Sequence, residues 1–289
     1  MAVAIERIER IGIIGSGIMG SGIAEVAAST GHTVVLRSRS IDSANAMLAG
    51  LQKSLARQVE KGRREQADAD AIAARVTATA DLADLADCDL VLESVVEDLD
   101  VKLALFRELD GIVKADAIIA TNTSTLPVVE MAMATNRPGQ VCGVHFFNPA
   151  PAMSLVEIVR PMTADDATIA TVTAFAQACG KDPVEVADRA GFIVNALLFP
   201  YLNNAVKLLE NGVASRDDID TAMKGGCNFP MGPLQLLDLV GLDTSVAILD
   251  ALYDEFRDPN FSPAPRLRRM LTAGHLGRKS GIGFYDYRK

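Results

Sequence analysis

Residues 10–40, RIGIIGSGIMGSGIAEVAASTGHTVVLRSRS, set an apolar run, a glycine-rich turn, a helix-like stretch over 21–30 and a second apolar run in succession. Gly31 stops the helix, and the β-branched residues after it open a strand. Gly15, Gly17 and Gly20 fit the spacing G-x-G-x-x-G. Alone that spacing says little, because glycines gather in any turn. Between a strand and a helix, within about 30 residues, it marks a βαβ unit that holds a dinucleotide. Gly15 permits the tight turn, Gly17 lets the backbone approach a pyrophosphate, and Gly20 lets helix and strand pack closely. Ile18 and Met19, between the second and third glycines, are counted with the cofactor-binding residues. The helix N-terminus adds free N–H groups and partial positive charge for the phosphates.

The second strand of such a unit ordinarily ends in Asp or Glu, which accepts hydrogen bonds from the adenosine ribose. Here the position is Ser38, between Arg37 and Arg39. A carboxylate would repel a 2′-phosphate, whereas guanidinium and hydroxyl groups bind one. NADP is therefore favoured over NAD. The competing reading makes these residues a solvated sheet edge and leaves NAD with a weaker ribose contact.

Further strands are expected at RVTAT (75–79), DLVLES (89–94), AIIAT (117–121) and VCGVHFF (141–147), with helical segments between them. Alternation of nearly continuous apolar strands with helices implies an α/β fold with a doubly wound, mostly parallel sheet. After PVEVAD (183–188) the pattern turns helical, with long periodic stretches at 192–209, 216–226 and 234–256. The expected organisation is a dinucleotide-binding domain over 1–187 and a smaller all-α domain over 188–289. Ser215 and Asp218 resemble a capping box at the second of these helices.

Composition narrows the function classes. The chain has 289 residues, 49% hydrophobic and 22% charged, with a net charge of −9. That balance argues against nucleic acid or an anionic membrane surface as partner. No apolar run reaches the roughly 18–20 residues that span a bilayer. The amino terminus enters a strand pattern at once, leaving no room for a secretory leader, so a cytoplasmic protein is expected. Cys88, Cys142, Cys179 and Cys227 are widely spaced without a C-x-x-C pair. Reduced thiols fit best, and neither a disulfide framework nor a metal site is expected.

Of the three histidines, His145 has the most informative setting, within GVHFFNPAPAMSLVEIV (143–159). A hairpin centred on Pro151 sets His145 opposite Glu157, at cross-strand contact distance. A buried carboxylate fixes the tautomer of an imidazole, which suits a general acid–base. On spacing alone, a pair that merely satisfies a core hydrogen bond is an equal reading. His32 and His275 have no such partner and read as surface or turn residues.

With these features in place, the sequence resembles the 3-hydroxyacyl-CoA dehydrogenase family, the 3-hydroxybutyryl-CoA dehydrogenase branch especially. GSGIMGSGIA, ESVVEDLDVK, TNTSTL, HFFNPAPAM, LVEIV, GFIVNALLFPYLNNA, DIDTAMKGG, FPMGPLQLLDLVGLD and GRKSGIGFYDY carry the likeness almost end to end. The resemblance implies a Rossmann-type domain, a helical domain used for homodimerisation, and interconversion of L-3-hydroxyacyl-CoA and 3-oxoacyl-CoA. His145 would be the catalytic acid–base and Glu157 its orienting carboxylate. Ser124 would hydrogen-bond the substrate oxygen, and Asn195 would position substrate and His145. Glu97 and Lys102 match contacts to the nicotinamide-side ribose, with Asn122 and Asn148 lining the same cleft. On the helix expected over 42–64, Lys53 and Arg57, with Lys61, Arg63 and Arg64, would meet the CoA phosphates. A solvated helix face is the competing reading of those cations.

Two departures from the family stand out: Ser38 replaces the usual Asp, and Ala196 replaces an Arg common after the Asn of GFIVN. Two other functions compete with an acyl-CoA substrate. One is a related dehydrogenase acting on a free hydroxy acid, and the other a non-catalytic nucleotide-binding dimer.

Overall fold

The computed structural model describes residues 8–15 and 17–288. Residues 1–7, part of the stretch read for a leader, lie outside the described residues. The chain divides into two compact units between Asp188 and Arg189.

The first unit begins with β1 (Arg10–Ile14), α1 (Ile18–Ser29), β2 (Thr33–Arg37), α2 (Ile41–Glu60), α3 (Gln66–Ala74) and β3 (Val76–Thr79). It continues through β4 (Leu90–Glu93), α4 (Leu99–Asp110), β5 (Ile118–Thr121), α5 (Val128–Met133) and β6 (Val141–Phe146). It closes with β7 (Leu155–Arg160), α6 (Asp166–Ala178) and β8 (Asp182–Ala187). The strands form one sheet in the order β3-β2-β1-β4-β5-β6-β7-β8. Every neighbouring pair is parallel except β6 and β7. β1 lies between β2 and β4, so the winding reverses there and the carboxyl ends of β1 and β4 border a crevice. The strands read as apolar runs because helices cover the sheet: Ile11, Ile13, Val34, Leu36, Leu90 and Leu92 are all buried.

Local chemistry accounts for where the elements differ from the sequence pattern. α1 starts at Ile18, three residues before the expected stretch, because Gly17 already takes the extended cap conformation. α2 ends at Glu60, four residues short of expectation, where Lys61 caps it and Gly62 turns to φ +63°. Its buried face is Ala44, Met47, Leu51 and Leu55, a helical stripe that leaves Lys53 and Arg57 in solvent. Between β3 and β4 the expected helix is a single 3₁₀ turn, Ala83–Leu85.

The second unit holds α7 (Val194–Glu210), α8 (Arg216–Cys227), α9 (Pro233–Val240), α10 (Leu242–Phe256) and α11 (Pro265–Thr272). The one helix expected over 234–256 is two, broken where Gly241 adopts φ +104°. The Ser215 hydroxyl caps α8 by accepting the Asp218 N–H at 3.2 Å. Phe199, Leu202, Leu234, Leu237, Leu249 and Leu252 form this unit's own core. Two buried aspartates staple its carboxy-terminal segment. Asp238 accepts the backbone N–H groups of Phe284 and Tyr285, both at 2.8 Å, and Asp220 accepts the Tyr285 hydroxyl at 2.8 Å. The motif GFYDY is thereby accounted for as a fold element. No helix among the described residues is long and apolar enough to cross a membrane.

The crossover leading into β6 is held by Asp110 and Arg137, 2.7 Å apart. Partial burial raises the Asp110 carboxyl. Hydrogen bonds from the Asn136 backbone, the Arg137 guanidinium and the Asn136 amide outweigh that and hold it below the ordinary carboxylate value. The native state thus binds fewer protons here than the unfolded chain. The stabilisation is complete above the unfolded value near pH ~3.9 and is lost as pH falls through the lower native value. Asp110→Asn is expected to cost about 1–3 kcal/mol at pH 7 and to flatten the acid limb of the stability profile, read by urea unfolding from pH 7 to 3.

Candidate active site

The glycine turn packs as its spacing requires. Gly15 has φ +147°, and a Cβ there would lie 2.2 Å from the Ser94 carbonyl oxygen on the turn after β4. A Cβ on Gly20 would meet Met47 Cε at 2.9 Å and the Gly15 carbonyl at 3.2 Å. At Gly17, by contrast, a Cβ would meet nothing within 4 Å, which leaves open space above the start of α1. Gly15 and Gly17 border a cleft of about 330 Å³ that also takes in Arg37, Ser38 and Arg39. Val96, Val101 and Leu105 form an apolar wall, and none of the lining residues is acidic. A flat aromatic base fits such a wall, and the exposed helix N-terminus suits a pyrophosphate. The site thus fits a nicotinamide dinucleotide.

The three residues at the end of β2 are not equivalent. Ser38 is buried, and its hydroxyl is engaged by Ser43. The Arg37 Nε donates to the Ala80 carbonyl at 3.2 Å. Arg39 is exposed at the cleft.

At the carboxyl ends of β4 and β5, charge is gathered out of solvent. Lys102, on α4, is 1% exposed, and its Nζ lies 2.7 and 2.9 Å from the two carboxylate oxygens of Glu93. It also lies 3.3 Å from Glu97 Oε2. Glu97 Oε1 accepts the Thr123 hydroxyl at 2.5 Å, the Ser124 N–H at 2.9 Å and the Ser124 hydroxyl at 3.3 Å. Desolvation raises the Glu97 carboxyl, but the Lys102 charge and the Thr123 and Ser124 hydrogen bonds bring it below its usual value. Lys102 is thus buried between the two carboxylates.

β6 and β7 form the expected hairpin, with His145 directly opposite Glu157. His145 Nδ1 is 2.8 Å from Glu157 Oε2, and the two residues are 6% and 1% exposed. The Phe147 ring tilts over the imidazole with centroids 4.6 Å apart. Asn122 ties this strand to the neighbouring one, its Oδ1 accepting the Phe146 N–H at 2.7 Å. Asn148 is exposed in the hairpin loop. Lys181, buried at the start of β8, donates to the carbonyls of Ala150 and Met153 at 2.7 and 2.8 Å and so anchors that loop. Burial pulls the Lys181 pKa below the ordinary lysine value. His32 packs edge-on against Phe175, and His275 sits in the turn after α11.

The first unit therefore contains three clusters: the glycine cleft with Arg37, Ser38 and Arg39; Glu97, Lys102 and Ser124; and His145 with Glu157. Lys53 and Arg57 are exposed on α2, one helical turn apart. In the second unit, Asn195 is buried in the first turn of α7. Glu93, Thr121, Thr123, Ser43 and Lys181 were not singled out in the sequence. For Glu93 the available signal was a carboxylate closing the apolar run of β4.

Residues 10–189 match the 3-hydroxyacyl-CoA dehydrogenase NAD binding domain, and residues 191–287 match the 3-hydroxyacyl-CoA dehydrogenase C-terminal domain. The chain belongs to the 3-hydroxyacyl-CoA dehydrogenase family. It is 46% identical over 280 residues to a 3-hydroxybutyryl-CoA dehydrogenase of Clostridioides difficile, covering 97% of this chain and 100% of that one. It is 41% identical to the mitochondrial hydroxyacyl-coenzyme A dehydrogenase of Sus scrofa, covering 97% and 92%. The crystal structure of (S)-3-hydroxybutyryl-CoA dehydrogenase from Ralstonia eutropha superposes with a TM-score of 0.95 at 41% identity, covering 98% and 100%.

The glycine cleft of this dehydrogenase separates folding from cofactor binding. Gly15→Ala is expected to destabilise by about 2 kcal/mol or more, through its backbone conformation and the Ser94 carbonyl. Gly17→Ala meets no protein atom, so its melting temperature should stay near wild type while NADH binding weakens by about tenfold. Thermal unfolding and fluorescence titration check both, and unchanged affinity in Gly17→Ala would remove the phosphates from that space.

Proposed function

We propose that this dehydrogenase interconverts (S)-3-hydroxyacyl-CoA and 3-oxoacyl-CoA, with (S)-3-hydroxybutyryl-CoA and acetoacetyl-CoA as the short-chain pair. The observation that carries the reading is the buried His145–Glu157 pair on the strand tied to β5 through Asn122. The bound nicotinamide supplies the hydride acceptor for oxidation and the donor for reduction. Glu157 holds His145 Nδ1 and assigns proton exchange to Nε2. Neutral His145 takes the 3-hydroxyl proton in oxidation, and protonated His145 returns one to the 3-oxygen in reduction.

Ser124 donates to that oxygen and stabilises its developing negative charge. The Ser124 hydroxyl rests 3.3 Å from Glu97, long for an O–H···O bond, so it can turn to substrate while its N–H keeps the Glu97 contact. Glu97 meets the nicotinamide-side ribose, with Asn122 and Asn148 on the same side. Gly15, Gly17, Ile18, Met19 and Gly20 cradle the pyrophosphate. Lys53 and Arg57, exposed one turn apart, meet the CoA phosphates.

The finer cofactor reading is NADP(H). An acid-free cleft with exposed Arg39 supports it, and Arg37 and Ser38 shape the 2′-phosphate site. Homodimerisation through the helical domain is supported by exposed Leu197, Leu208 and Phe229 on that unit. A division of roles at 187/188 and residence in the cytoplasm complete the reading.

His145→Gln is expected to lower kcat for acetoacetyl-CoA reduction by about 10²–10⁴-fold with cofactor affinity retained. Near-wild-type turnover in that variant would refute the assignment. Arg39→Ala should reduce kcat/KM by about 10–100-fold with NADPH and leave NADH unchanged, since one charge-assisted contact is worth about 1.5–3 kcal/mol. An equal effect on both cofactors would take the 2′-phosphate away from Arg39.

A further inference from the structure

We infer that Glu93 is a positioning residue for the reaction, acting through Lys102 and Glu97 on the turn that carries Ser124. The inference rests on the role given to Ser124 above and extends it to a residue that has no assigned part.

Glu93 is 0% exposed, and all of its acceptor capacity is used. Oε1 receives Lys102 and the Thr121 hydroxyl, while Oε2 receives Lys102 and the Val95 N–H at 3.0 Å. Its position is thus set from β4, β5 and α4 together. Lys102 in turn directs its three donors to Glu93 Oε1, Glu93 Oε2 and Glu97 Oε2. Glu97 is different, being partly exposed, with three of its contacts on the 123–124 turn. The order of constraint runs from the buried pair outward to the partly exposed carboxylate, and from there to Ser124.

Stability does not explain why charge occupies this position. A buried ion pair is commonly matched or exceeded in stability by apolar residues of similar size. What the pair provides is aim, because one ammonium is shared between two carboxylates. While Glu93 takes two of its hydrogen bonds, Glu97 is held at 3.3 Å and stays on the Ser124 turn. Neutralising Glu93 leaves Glu97 as the sole counter-charge of a buried ammonium. Glu97 is then drawn toward Lys102, away from the Ser124 N–H and hydroxyl.

The test is a double-mutant cycle on acetoacetyl-CoA reduction with Glu93→Gln, Ser124→Ala and the combination, each checked for wild-type-like circular dichroism. Glu93→Gln is expected to lower kcat about tenfold, with the KM for acetoacetyl-CoA within about twofold of wild type. The combined variant should be no slower than Ser124→Ala alone, because the two act through one group. Should Glu93→Gln fold poorly, Thr121→Val removes only the hydroxyl that holds Glu93 and should give the same pattern at smaller size. Effects that multiply, or wild-type kcat in Glu93→Gln, would overturn the inference while leaving Ser124 in place. Wild-type kcat in Ser124→Ala would overturn the role of Ser124 itself, and the inference with it.

Discussion

The parallel pairing of β1 with β4 is the constraint on which the site depends. It brings the turn after β1 against the turn after β4 so closely that a Cβ on Gly15 would lie 2.2 Å from the Ser94 carbonyl. Only a glycine with φ +147° closes that contact, and closing it lets α1 begin at Ile18 with its N–H groups facing the crevice. The same pairing fixes Glu93 at the end of β4, and through it the charges behind the cleft. The cofactor cradle and the Ser124 turn are therefore two consequences of one strand register.

The chemistry is assembled at the carboxyl ends of neighbouring strands, each contributing a different kind of group. β1 and β2 end in glycine backbone and arginines, which suit phosphate. β4 and β5 end in a shared-charge network that reaches the Ser124 turn through Glu97. β6 carries an imidazole paired with a carboxylate of its antiparallel neighbour β7. The one antiparallel junction in the sheet is thus where the proposed acid–base sits. A parallel neighbour would need a crossover of a dozen or more residues to bring Glu157 beside His145. The hairpin does it with eight residues between the strands.

That difference also explains what the sequence made legible. The His145–Glu157 contact follows from counting outward from Pro151, because antiparallel register is a local sum. The glycine cleft was equally legible, since the turn chemistry lies within six residues. Glu93, Lys102 and Thr121 come together across parallel strands and a helix, and no spacing rule links them. The only local trace of Glu93 and Thr121 is that each is a polar residue closing an apolar strand. Lys181 escaped notice for the same reason, since the loop it anchors is about 30 residues away. Gly241 was legible as a residue but not as a break, because the apolar period runs through it and only its φ of +104° divides the helix.

The reaction proposed for this chain is the reduction of acetoacetyl-CoA with a nicotinamide cofactor. The most direct measurement is kcat/KM for acetoacetyl-CoA with NADPH and NADH in parallel, with free acetoacetate as the comparison. Turnover of the CoA ester is expected with both cofactors, faster with NADPH, and little or none of the free acid. Reduction of acetoacetate as efficient as that of its CoA ester, or no reduction of the ester with either cofactor, would contradict it.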